Sequence, residues 1–109
     1  MRIRKAVPSD ATTLTQIAHD AKRYWGYPEH WIQYWQPELT ISSDFITINQ
    51  VYLAEQNGEI VGFYALVVQR ARAELEHLWV APANIGEGVG KELFVHAMQT
   101  AARRECLSG

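Results

Sequence analysis

The apolar residues recur at two spacings, and the switches between them divide the chain into elements. Arg2 to Ala6 alternates Ile3 with charged neighbours and stops before Pro8, which predicts a short first strand. Leu14, Ile17, Ala18, Ala21 and Trp25 then return at helical spacing, with Ser9 or Asp10 placed to cap the helix and Gly26 to end it. Trp31 and Trp35, four apart, suit a short second helix packed on a sheet, and Ser42 or Ser43 can cap another through Ile46. Two β-rich runs follow, Val51 to Glu55 and Ile60 to Val68, separated by Gln56-Asn57-Gly58-Glu59. Asn-Gly tolerates the positive φ angles of a tight primed turn, so these runs predict a hairpin. Gly62 inside the second run marks a bulge or a close backbone approach. Arg70-Ala71-Arg72 turns the chain into one more strand, apolar at Leu75, Leu78, Trp79 and Val80 and stopped by Pro82. A last helical pattern runs through Leu93, Phe94, Ala97, Met98 and Ala101.

Short connections make successive strands antiparallel, so this order predicts an α/β (α+β) fold: a mostly antiparallel twisted sheet with helices on both faces. With 109 residues the expectation is a single domain, 1–109. Hydrophobic residues at 48% and charged residues at 20% fit a globular protein. Ten basic and twelve acidic residues leave a formal charge of −2, which argues against a polyanionic partner such as nucleic acid. The longest apolar run, Ile60 to Val68, is far short of the roughly 18 residues that a membrane span needs. The basic start Met1-Arg2-Ile3-Arg4-Lys5 leads into no apolar run, so no secretory leader is expected, and a lone Cys106 fits a reducing compartment. Both point to the cytoplasm. His19, His30 and His96 lack ligand spacing, so no metal is expected, and Cys106 has no neighbours that would make it a nucleophile.

The chemistry gathers where the last strand meets the last helix. Gly86-Glu87-Gly88-Val89-Gly90-Lys91 puts three glycines in five residues at a helix start. Unpaired N–H groups and the positive end of the helix dipole suit an anion there, and glycines let it approach the backbone. Lys91 is either a phosphate contact or a charged first-turn residue. A Walker loop would need glycine at Ile85 and Ser or Thr at Glu92. A dinucleotide fingerprint would need its third glycine at Lys91 or Leu93, and no first strand opens the unit.

Leu78-Trp79-Val80-Ala81-Pro82 followed by Gly86, Gly88, Gly90 and Leu93 resembles the acyl-CoA signature of the GCN5-related N-acetyltransferase (GNAT) superfamily. The start Ile3-Arg4-Lys5-Ala6, Asp10-Ala11 and Leu14 is similar to that family's first strand and helix. The family's loop Arg or Gln falls at Ile85, a departure from the pattern. The resemblance implies an acyl-CoA N-acyltransferase fold, here its amino-terminal part, since the family's further strands, helix and general-acid tyrosine have no counterpart after the last helix. It also implies acetyl-CoA as co-substrate. Its pyrophosphate would lie on Gly86, Glu87, Gly88, Val89, Gly90 and Lys91, and its pantetheine arm beside Leu78, Trp79 and Val80. An N–H at Trp79 or Val80 would polarise the thioester carbonyl.

An amine acceptor has to lose a proton first. With a pKa near 10.4 it starts about 3 units from its reactive form at pH 7, roughly 4–5 kcal/mol. Strand alternation puts Glu74, Glu76 and Leu78 on one face and Leu75, His77 and Trp79 on the other. Acetyltransferases often carry a carboxylate at such a strand position, which makes Glu76 the leading base and Glu74 the second. His77 titrates conveniently, but a lone strand histidine is more often packed or hydrogen-bonded. In the family the region after the first helix helps to form the acceptor wall, which points to Tyr24 and Tyr27 beside Gly26 and Pro28. The expected activity is acetyl transfer to a primary amine of a small molecule or peptide. The alternative is a degenerate relative that binds acyl-CoA or a protein without turnover. Without the family's following strand, the Glu74–Val80 strand should have an open edge, so a homodimer is expected.

Overall fold

Three β-rich runs joined by turns of a few residues pair as neighbours because no other partner is within reach. β2 (Gln50–Gln56), β3 (Glu59–Gln69) and β4 (Arg72–Val80) form an antiparallel meander, and β1 (Arg2–Lys5) adds antiparallel to β2. The sheet order is therefore β1-β2-β3-β4. This computed structural model describes residues 1–26, 28, 30, 39–70 and 72–108. Tyr27, Trp31 and Trp35 lie outside the described residues. Asn57 and Gly58 take φ values of 55° and 81°, the left-handed pair that a primed hairpin turn requires.

The pleat sends alternate residues to two cores. On one face α1 (Ala11–Tyr24) buries Leu14, Ile17 and Ala18 against Leu53, Phe63 and Ala65, with the short α2 (Ser43–Ile48) adding Ile46. On the other face α3 (Val89–Ser108) buries Val89, Leu93 and Ala97 against Ala54, Tyr64 and Leu66. Helices thus cover both faces, as the pattern predicted. The Ser42 hydroxyl caps α2 by accepting the Phe45 N–H at 3.0 Å.

Four local expectations are corrected. Asp10 stands at the α1 start but does not cap it: its carboxylate accepts the Val7 N–H at 2.8 Å and the Arg4 guanidinium at 3.0 and 3.3 Å. Arg4 also donates to Glu55 at 3.0 Å, so one ion network ties β1, β2 and the entry to α1. Burial pushes the Asp10 carboxyl up, but the bonds from Arg4 and Val7 outweigh it and hold the group below its usual value. Trp25 is 64% exposed rather than in the core, because α1 ends at Tyr24 and Gly26 (φ 86°) turns the chain off the helix axis. On α3 the buried stripe is Val89, Leu93, Ala97 and Thr100, whereas Phe94 and Met98 are largely exposed. The fourth correction concerns β4. Ala65 pairs with His77 and Leu66 with Leu75, which leaves Glu76 as an extra residue in a bulge. The bulge shifts the phase of the strand. Leu75 joins Leu78 and Val80 against α3, while His77 and Trp79 turn to the α1 face.

A second bulge leaves Val61 unpaired between Ile60 and Gly62. A Cβ on Gly62 would lie 2.9 Å from the Trp79 carbonyl oxygen and 3.0 Å from Leu93. That glycine is what allows α3 to lie this close over β3 and β4.

Candidate functional site

After β4 the chain makes a single turn at Pro82–Asn84 and then the glycine loop. Gly86 and Gly88 adopt φ of 91° and 83°, values that side chains other than glycine rarely take, and their Cβ positions face open space. α3 follows at once. The Glu92 N–H donates to the Gly88 carbonyl at 3.1 Å, so Val89, Gly90 and Lys91 precede the first intrahelical donor and their N–H groups have no partner within the helix.

The loop, the end of β4 and the last turn of α1 enclose a groove of about 410 Å³. Its walls include Leu78, Trp79, Val80, Gly86, Gly88, Val89, Gly90 and Lys91. Glu87 stays outside: its carboxylate accepts from the Asn84 side chain at 3.1 Å and its N–H meets the Asn84 carbonyl at 3.4 Å. Sequence reasoning missed Ala21, Trp25 and Asn84, which line the groove too. Trp25 reads as core by its spacing, and only the helix end exposes it. Ile85 adds an apolar wall. Among the described residues β4 pairs only with β3, so its other edge has no strand partner there.

A second groove of about 440 Å³ lies on the α1 face, lined by Lys22, Leu39, Glu76, His77 and Trp79. The bulge therefore brings Glu76 beside His77 and Trp79, away from the face that strict alternation assigned. Its carboxylate is exposed to solvent. Glu74 lines neither groove; it is 59% exposed and pairs with the Arg72 guanidinium at 3.6 Å. His77 Nδ1 accepts the Trp79 indole N–H at 3.0 Å, and its ring packs on Phe45 and Phe63 at 5.9 and 6.3 Å. Burial lowers the His77 pKa, with the Glu76 charge opposing. Lys22 Nζ sits 5.6 Å from the Trp79 ring centroid, a cation–π contact. Tyr24 is half exposed, edge-on to Trp25 at 5.1 Å, and lines neither groove.

Under α3, a polar relay fixes the helix to the sheet. Arg103 donates to the Thr100 hydroxyl at 3.3 Å, Thr100 meets the Tyr64 hydroxyl at 3.0 Å, and Tyr64 meets His96 Nδ1 at 2.7 Å. Burial, with the neighbouring Tyr52, pushes the Tyr64 phenol up to about 12 despite the lowering influence of Thr100 and Arg103. Burial also lowers the His96 pKa, reinforced by the Arg103 charge. Both groups are thus neutral, and the His96 tautomer decides which of them donates. No sequence signal joins Tyr64 to His96, which lie 32 residues apart. Among the described residues no group of three His, Cys, Asp or Glu could hold a metal ion, and no helix is long and apolar enough to cross a membrane.

The family described as "Acetyltransferase (GNAT) family" matches residues 13–108. The 5-NmdU N-acetyltransferase of Pseudomonas phage PaMx11 is 29% identical over 106 residues, covering 94% of this chain and 69% of that protein. Peptidyl-lysine N-acetyltransferase YiaC of Escherichia coli (strain K12) is 26% identical over 98 residues, covering 89% of this chain and 64% of its own length. The chain thus spans about two thirds of both, 69% and 64%. In three dimensions it is similar to PaiA N-acetyltransferase from Thermoplasma acidophilum in complex with coenzyme A, with a TM-score of 0.83 at 22% identity over 94% of this chain and 72% of that one. A GNAT family acetyltransferase from Brucella melitensis in complex with acetyl-CoA gives 0.72 at 23% identity, covering 93% and 68%.

Proposed function

Since the chain belongs to the acetyltransferase (GNAT) family, we propose that it transfers the acetyl group of acetyl-CoA to a primary amine. The observation that carries this reading is the meeting of two grooves at Trp79, one lined by a glycine-rich helix start and the other by a carboxylate. In this reading the N–H groups from Gly88 to Lys91 hold the pyrophosphate, helped by the positive end of α3. The free edge of β4 at Leu78–Val80 takes the pantetheine arm as an added strand. The N–H of Trp79 or Val80 stabilises charge on the carbonyl oxygen as the amine adds. Glu76, directly or through water, accepts the ammonium proton, so that a free amine attacks the carbonyl carbon and the C–S bond breaks. His77 is unsuited to that task at Nδ1, which the indole N–H already occupies.

The relatives' names describe acceptors as different as 5-NmdU and peptidyl-lysine. The acceptor is therefore proposed only as a primary amine of a small molecule or peptide. The protein is proposed to work in the cytoplasm. A second reading, acyl-CoA binding without turnover, is favoured by Ile85, which lines the groove without offering it a polar side chain.

Calorimetric titration with acetyl-CoA tests the reading, with saturable binding and a raised melting temperature expected. No heat and no melting shift at saturating acetyl-CoA would overturn it. Amine-dependent thiol release across an acceptor panel then separates transfer from binding alone.

A further inference from the structure

Trp79 lines both grooves, which places this residue between them. Its partly buried ring packs against the α1-side core, and two further contacts hold its orientation. The N–H donates to His77 Nδ1 at 3.0 Å, and Lys22 Nζ lies over the ring at 5.6 Å. His77 is itself wedged, with Phe45 of α2 and Phe63 of β3 against its ring. A nitrogen that accepts an N–H carries no proton of its own, so this arrangement requires a neutral imidazole with its hydrogen on Nε2. Among the described residues the charged groups that line its groove are Glu76 from β4 and Lys22 from α1, while α2 and β3 present the uncharged rings just named.

We propose that His77 is a positioning residue that, by accepting the Trp79 indole N–H, holds the ring as the partition between the acetyl groove and the amine groove. The proposal rests on the acetyl-CoA reading for what the two grooves contain, though not for the His77–Trp79 bond itself. Its consequence is selective. The acetyl end of the ligand reaches the partition, whereas the pyrophosphate lies at the α3 start, beyond it. Loosening the indole therefore weakens acetyl-CoA while sparing CoA. Protonation of His77 does the same by converting the acceptor nitrogen into a donor. Burial holds His77 below the ordinary histidine value and Glu76 opposes that, so the bond is intact at neutral pH and opens on the acid side.

The test joins a spectroscopic readout to a binding one, on the full chain. The Trp79 indole N–H resonance, assigned by its loss in Trp79→Phe, should move as pH falls below 6.5 in the wild type and stay fixed in His77→Asn, whose amide oxygen accepts without titrating. His77→Phe should weaken acetyl-CoA about five-fold with CoA nearly unchanged, the size expected for one net hydrogen bond, and His77→Asn should restore the affinity. A resonance that ignores pH, or equal losses for both ligands in His77→Phe, would overturn the positioning role. If the wild type bound neither ligand, the acetyl-CoA reading would fail instead, and the resonance would still decide whether His77 holds the indole.

Discussion

In the proposed reaction, Glu76 is the residue on which the chemistry turns. It is exposed, it lines the amine-side groove, and removing its charge leaves no other carboxylate on that groove's walls among the described residues. Glu76→Gln should lower turnover at neutral pH by about 10²–10⁴ while acetyl-CoA affinity is kept, with recovery at high pH where free amine is plentiful. Steady-state kinetics decide it; an unchanged rate would pass the role to water or Glu74. A second prediction concerns pH. His77 and His96 both lie below the ordinary 6.5 in the native state, so the unfolded chain takes up protons first as pH falls through that value. Their stabilisation is complete above 6.5 and declines from there toward the lowered native values. Melting temperature should fall between pH 7 and pH 5, and His96→Gln should flatten part of that fall; a profile as steep in the variant would remove His96 from the account. At this scale the sequence was legible for identity and not for direction. Residue type and strand position suffice to single out Glu76 as a candidate base. The face it shares with His77 depends on an extra residue in β4 that no periodicity reveals. Trp25 and the Tyr64–His96 bond depend on where a helix stops and how it crosses a sheet.

Among the elements, the approach of α3 to the sheet is the most constrained. Gly62→Ala sets a methyl against a backbone oxygen at 2.9 Å that cannot step aside without moving β4. The variant should lose about 1–3 kcal/mol, as overpacking does, and should also bind acetyl-CoA more weakly, because Val89 and Leu93 shift with the helix start. Gly90→Ala makes a useful contrast: its new methyl meets only the Val80 side chain at 3.4 Å, so denaturant melts should show little change. Equal stability of the two variants would mean that the close approach at Gly62 is not tight. The hairpin, the glycine loop and the main helices were readable because Asn57-Gly58, Pro82 and the apolar spacings act locally. The sequence marked Gly62 as special, and both of its possible meanings, bulge and close approach, turn out to hold.

For the molecule as a whole, the two-faced sheet followed from element order and short connections, and it is realised with helices on both sides. β4 lies at the edge of that sheet among the described residues, and Phe94, Val95 and Met98 stand largely exposed on α3. We propose that a second copy covers the part of this edge before Leu78 or the adjoining apolar surface. Sedimentation should find a dimer at tens of micromolar protein, and a monomer there would dismiss it. At the opposite edge, β1 bonds only to β2 among the described residues, yet it ends at Lys5 whereas β2 begins at Gln50. During synthesis β1 therefore leaves the ribosome before β2 does. For that interval β1 is an unpaired strand among other nascent chains, and its charges acquire a purpose outside the finished fold. Arg2, Arg4 and Lys5 discourage pairing with foreign strands while β1 waits. Once β2 arrives, Arg4 turns to Asp10 and Glu55, and the residue that kept the strand apart becomes the one that fastens it.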